Sequence, residues 1–236
     1  MGHPTAGEEE YLETLYWLHE VRLPLTAANV ARAMMLSAPT VHEMVKRLEA
    51  DGLITRDERK RISFTDRGLG VAENVVSRHR LVERFLTDVL GIPWHEVHEE
   101  AERMEHAMSP AIEQGMRDAI GDATTCPHGH PIEVGKREPG APLADVEPGA
   151  AIRVLRFENE AEQVLHYLYG QGVRPGQQGR LVERDEDRVV YEDADGERHA
   201  LTLSAAETVS VKADPSPPER VGLPAAVVLE QEAFGR

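Results

Sequence analysis

Six side chains between residues 77 and 106 carry donors that suit a divalent metal ion: His79, Glu83, His98, Glu102, Glu105 and His106. Imidazole nitrogens and carboxylate oxygens are ligands that hard and borderline divalent cations accept. Their spacing points the same way. His79 and Glu83 are four residues apart, and Glu105 and His106 follow Glu102 at i+3 and i+4, so each group shares one face of a helix. Catalysis is the weaker reading of such a set. The chain has no HExxH pair, no recognisable nucleophile–base constellation and no glycine-rich phosphate loop. Five or six protein donors around one ion would also leave little room for substrate, which suits a switch.

These donors need scaffolding. The stretch SRHRLVERFLTDVLGIPWHEVHEEAERMEH predicts two helices broken at Gly91-Ile92-Pro93. The first runs from Asp66 to about Leu90, with Val82, Phe85, Leu86 and Val89 as its buried stripe. The second buries Val97, Ala101, Met104 and Met108. Upstream, residues 8–21 predict a helix with Tyr11, Leu15, Leu18 and Val21 on one stripe, and Glu10 and Glu13 on a neighbouring face.

Thr26 caps a second helix, and Ser37, with Pro39 in the first turn, caps a third that Gly52 stops. In that third helix Val41, Met44, Val45 and Leu48 point inward, leaving Thr40, His42, Glu43, Lys46 and Arg47 exposed. Two short helices joined by a tight turn make a helix-turn-helix, whose second helix enters the major groove. The segments 53–56 and 61–65 then predict a hairpin with a charged tip, Asp57-Glu58-Arg59-Lys60: the wing of a winged helix. Ser37, Pro39, Thr40, His42, Glu43, Lys46 and Arg47 are the expected DNA-reading residues. Arg59 and Lys60 are the expected phosphate contacts.

The net charge of -16 argues against a uniformly basic nucleic-acid binder. The charge is unevenly spread, however: residues 22–67 carry a local balance of +3 within an otherwise acidic chain. A modestly basic module of this kind still holds phosphate. No apolar run approaches the length of a membrane span, and no signal-peptide pattern opens the chain. Cys126 is the only cysteine, so an intrachain disulfide framework is impossible and a cytoplasmic location is expected. The segment Cys126-Pro127-His128-Gly129-His130-Pro131 looks like a zinc fragment. With one thiolate and two prolines, it is expected to be a structural turn.

The sequence resembles the metal-dependent repressors typified by the diphtheria toxin repressor and the manganese transport regulators. The resemblance spans residues 9–132 and rests on SAPTVHEMVKRLEADGLI, SRHRLVERFLTDVLG, VHEEAERMEHAMS and CPHGHPI. It implies homodimers that bind Mn(II) or Fe(II), about two ions per subunit, and then operator DNA, usually silencing metal-uptake genes. No membrane and no small-molecule substrate are implied as partners. The primary metal site would fall on Glu10, Glu102, Glu105 and His106, joined in the manganese branch by Glu13 and His79.

In the iron branch, methionine and cysteine stand where this chain has Glu10 and Glu102. Hard oxygen in place of soft sulfur moves a site towards manganese, with iron the alternative. The ancillary site would fall on His79, Glu83 and His98, completed by an acidic residue and a glutamine from a C-terminal domain. There are departures: Glu43 replaces a glutamine of the iron branch, and Thr26-Ala27-Ala28-Asn29 lacks arginines found there. Operator sequence is therefore not transferable.

Residues 135–149, rich in proline and glycine, read as a linker. After them come five short strands, with Asp195-Gly196 as a hairpin turn and a short helix over residues 160–170. A small β-barrel similar to the SH3-like domain of longer family members is expected, with Glu160 and Gln163 matching its ancillary donors. The expected organisation is a winged helix-turn-helix over 1–72, a helical metal-binding and dimerisation domain over 73–134, the linker, an SH3-like domain over 150–212 and a tail over 213–236.

Overall fold

The computed structural model describes residues 4–216, so all of the expected tail beyond Ser216 lies outside the described residues. The chain divides into two compact units, residues 1–79 and 80–236.

In the first unit, helix α1 (Ala6–Glu20) is stapled at its start by Glu8, whose Oε2 accepts from the Thr5 amide at 2.7 Å and hydroxyl at 2.9 Å. Satisfying these otherwise orphaned donors fixes where the helix begins. Tyr11, Leu12, Leu15 and Leu18 are buried along it. Thr26 caps α2 (Ala27–Ala33) and Ser37 caps α3 (Ala38–Ala50), accepting from the amides of Asn29 and Thr40. Gly52 has φ +68, the left-handed conformation needed just past a helix end.

Val41, Val45 and Leu48 are buried on α3, whereas Met44, expected inward, is only half-buried. The strands β1 (Ile54–Arg56) and β2 (Ile62–Phe64) pair antiparallel as the wing. Helix α4 (Asp66–Asp88) starts against this hairpin. A Cβ on Gly68 would lie 1.7 Å from the Leu53 carbonyl oxygen, so only glycine permits that approach.

The second unit takes up the remainder of α4 and adds α5 (His98–Glu105) and α6 (Pro110–Ile120). Their core comprises Leu81, Val82, Leu86, Val97, Ala101, Met116 and Ile132. Val89, expected in the buried stripe, is 46% exposed.

A six-stranded antiparallel sheet follows: β3 (Ala141–Pro142), β4 (Ala151–Phe157), β5 (Gln178–Arg184), β6 (Arg188–Asp193), β7 (Arg198–Thr202) and β8 (Val209–Asp214). The strand order is β3-β8-β4-β5-β6-β7. Helix α7 (Glu162–Gly170) and helix α8 (Leu203–Thr208) cover a core built on Phe157, Leu165, Tyr191 and Leu201.

Two expectations are corrected here. The sheet does not close into a barrel: among the described residues β3 and β7 remain as edges. The segment 135–149 is not only a linker, because β3 pairs with β8 and Leu143, Ala144 and Val146 are buried in the sheet's core. Proline is compatible with this edge strand, where no ladder partner is required on its outer side. No helix of the described residues is long and apolar enough to cross a membrane.

Candidate metal centre

Four ligand-type atoms from four separate parts of the second unit converge. Helix α4 supplies Glu83, fully buried; α5 supplies His98 at its first position; the turn after α6 supplies His128, fully buried; and the segment after β4 supplies Glu160. His98 Nδ1 and His128 Nδ1 each lie 3.2 Å from Glu83 Oε1 and 3.6 Å from Glu160 Oε2. A divalent ion with bonds of about 2.1 Å holds its ligand atoms about 3.0–3.5 Å apart. The two 3.2 Å separations lie within that range and the two 3.6 Å separations just above it.

The orientation of His128 fits the same role. Its Nε2 is 2.7 Å from the Trp94 carbonyl oxygen, which can only accept, so Nε2 carries the proton. Nδ1 is thereby the nitrogen offered to an ion, the arrangement in which an outer hydrogen bond selects a metal-binding tautomer. His130 does something different. Its Nε2 is 2.7 Å from the Phe157 carbonyl oxygen and 3.2 Å from Glu160 Oε1, so it donates and orients rather than ligates. Cys126, fully buried, approaches Glu83 and His128 closely enough that one donor from each lies within 4.8 Å of the others.

Without an ion, the two carboxylates favour a proton on His128. Burial alone would lower the His128 pKa, but Glu83 and Glu160 beside it hold the imidazole well above its ordinary value. Burial and the neighbouring Glu83 charge push Glu160 up, yet His128 and His130 outweigh them and hold it at about 2. Burial, with Glu83, raises the Cys126 thiol.

The turn holding Cys126, His128 and His130 is fixed from both sides. On the α4 side, Arg80 Nη1 donates to the Pro131 carbonyl at 3.0 Å and Arg84 Nη2 to that of Cys126 at 2.8 Å. On the sheet side, the Phe157 amide donates to the His128 carbonyl at 3.0 Å. Gly129, φ +94, lies so close to β4 that a Cβ would meet the Leu155 carbonyl oxygen at 2.1 Å. The expectation of a structural rather than metal-binding turn is incomplete, because the turn also brings His128 and Cys126 to the donor cluster. Its sequence alone could not place it beside Glu83, because that juxtaposition is made by tertiary packing.

The remaining expected ligands distribute as follows. Glu160 precedes α7 rather than opening it, and Gln163 is exposed in that helix's first turn. His79, buried, is one turn before Glu83 on α4, and its Nδ1 is 3.5 Å from Glu13 Oε1. Glu10 is exposed on α1. On α5, Glu105 is buried and 3.3 Å from His106 Nε2, while Glu102 is exposed with Oε1 3.6 Å from His98 Nε2.

In the reader, Ser37, Pro39 and Thr40 are exposed at the start of α3. Glu43 pairs with Lys46 at 2.9 Å, and Arg47 reaches back to Glu8 at 2.8 Å. His42 is half-buried. At the wing tip Arg61 pairs with Asp57, whereas Arg59 and Lys60 are exposed, with no ion pair among the described residues.

Comparison with known proteins adds a lineage to this geometry. Residues 4–62 match the iron dependent repressor N-terminal DNA binding domain, residues 65–133 the iron dependent repressor metal binding and dimerisation domain, and residues 141–213 the FeoA domain. The diphtheria toxin repressor of Corynebacterium jeikeium is 34% identical over 205 residues, covering 75% of this chain and 85% of that protein. The chain belongs to this family of metal-dependent transcriptional repressors.

The iron-dependent repressor IdeR of Mycobacterium tuberculosis is 41% identical over 143 residues, covering 58% of this chain and 62% of that protein. Among solved structures, a manganese-dependent transcriptional repressor in complex with manganese superposes with a TM-score of 0.78 at 29% identity. It covers 86% of this chain and 98% of its own. The IdeR of T. acidophilum gives 0.73 at 27% identity, covering 91% and 100%. Family membership places the chain among repressors rather than enzymes.

Proposed function

We propose that this chain is a Mn(II)-responsive repressor that binds operator DNA as a metal-loaded homodimer in the cytoplasm and silences metal-uptake genes. The observation that carries the metal dependence is the convergence of Glu83, His98, His128 and Glu160 at ligand separations. Two ions per subunit are proposed. One is held by Glu83, His98, His128 and Glu160, with Cys126 at its margin and His79 and Gln163 as further candidates. The other is held by Glu10, Glu13, Glu102, Glu105 and His106, with His79 contested between the two.

The all-oxygen-and-nitrogen second set favours manganese over softer ions. That choice carries the discrimination, because manganese binds most weakly in the divalent series and no site selects it by raw affinity. Carboxylates gathered at such a site would repel one another until an ion neutralises them. Metal therefore shifts the population towards the DNA-binding state by its differential affinity. Ser37, Pro39, Thr40, His42, Glu43, Lys46 and Arg47 are the proposed groove-facing set, and Arg59 and Lys60 the proposed phosphate contacts.

Fe(II) is the second reading. It is favoured by Cys126, a sulfur donor beside Glu83, and by the iron-dependent relatives. The two readings separate in one titration. DNA fragments are selected from a random pool by the Mn(II)-loaded protein, and their binding is measured by fluorescence anisotropy with Mn(II), with Fe(II) under anaerobic conditions, and with chelator. Manganese at micromolar levels is expected to strengthen binding by at least about tenfold, close to 1.4 kcal/mol. Equal binding in chelator would overturn the proposal, and activation by Fe(II) alone would transfer it to iron.

A further inference from the structure

A cavity of about 310 Å³ lies between the helical part of the second unit and its sheet domain, and three arginines line it: Arg84, Arg153 and Arg174. No carboxylate lines it, although the chain as a whole carries a net charge of -16. The arginines come from three elements: Arg84 from α4, Arg153 from β4 and Arg174 from the turn before β5.

Their donors are unequally engaged. Arg84 is committed, donating through Nε to the Thr125 carbonyl at 2.7 Å, through Nη2 to that of Cys126 and through Nη1 to Asp88 at 3.2 Å. Arg153 uses only Nη2, on both oxygens of Glu138 at 2.9 Å, leaving Nε and Nη1 available. The guanidinium of exposed Arg174 makes no hydrogen bond or ion pair among the described residues. The wall also holds Thr87, whose buried hydroxyl oxygen has no hydrogen-bond partner among them.

We propose that this cavity is a binding site for a small oxyanion, phosphate-like or carboxylate, distinct from the metal cluster. A buried hydroxyl without a partner is destabilising, and a bound acceptor would offset that cost. Guanidinium groups present parallel donors matched to carboxylate and phosphate oxygens. The volume is at the lower end of small-ligand pockets, enough for a tetrahedral oxyanion or a four-carbon dicarboxylate. The Trp94 ring supplies an apolar wall that limits hydration of the bound charge.

The site is tested on the full chain, stripped of metal, by titration calorimetry with sodium phosphate, sodium sulfate and sodium succinate at ionic strength held constant with sodium chloride. Saturable binding at one site per chain is expected for at least one of the three. Phosphate and sulfate binding without succinate assigns a tetrahedral oxyanion; succinate binding assigns a carboxylate. Arg174→Glu is expected to weaken binding at least about tenfold, and Thr87→Val about threefold. Both variants should keep the wild-type melting temperature in chloride. No saturable binding beyond the chloride background, or undiminished binding by Arg174→Glu, would overturn the site.

Discussion

His128 decides how the cluster trades protons for metal. In the metal-free protein Glu83 and Glu160 hold its imidazolium against the cost of burial, so its pKa is raised. The stabilisation from that ion cluster is full below the ordinary histidine value and is lost as pH rises through the raised one. Metal must displace this proton. Affinity at the cluster is therefore expected to increase with pH, by up to about tenfold per unit, until the raised value is passed. Glu160, held at about 2, is ionised throughout and adds no competing proton in that window. Calorimetry in two buffers of different ionisation enthalpy should show about one proton released per ion at neutral pH. The buried Cys126 thiol, itself raised, would add a second if it ligates, and Cys126→Ser would remove that second proton. Binding without proton release would contradict the role given to His128.

At the level of elements, the turn over residues 125–131 makes the cluster possible by joining α4 to β4. Gly129→Ala places a Cβ against the Leu155 carbonyl and strains a positive φ, so the turn must move away from β4. The expected cost is about 1–3 kcal/mol in urea denaturation of the metal-free protein, with weakened metal binding in the same variant. Unchanged stability would show that the turn is not held in place by β4. Local signals made many elements legible in the sequence: the caps Thr26 and Ser37 and the stop at Gly52 all correspond to observed helix ends. What stayed hidden depends on distant partners. Proline and glycine disguised β3, which exists because β8 offers it an edge. The short helix α8 and the exposure of Val89 were equally out of reach, since neither follows from local periodicity. Glu83 and His98 were readable as donors from spacing, whereas His128 becomes one only when the turn is folded against α4.

For the molecule as a whole, an acidic chain carrying a locally basic reader should bind DNA with a salt dependence set by few phosphate contacts. Arg59, unpaired and exposed at the wing tip, is one of them in this account. Arg59→Ala should weaken binding to all sequences alike and lower the slope of log K against log salt by about one. A sequence-selective loss would instead mean that the wing reads bases. The central claim is that Glu83, His98, His128 and Glu160, drawn from helices, turn and sheet domain, surround one ion. Anomalous diffraction at the manganese edge from crystals grown with Mn(II) tests it most directly. A peak is expected within bonding distance of His98 Nδ1, His128 Nδ1, Glu83 Oε1 and Glu160 Oε2. Crystals saturated with Mn(II) that show peaks elsewhere but none among these four atoms would contradict it.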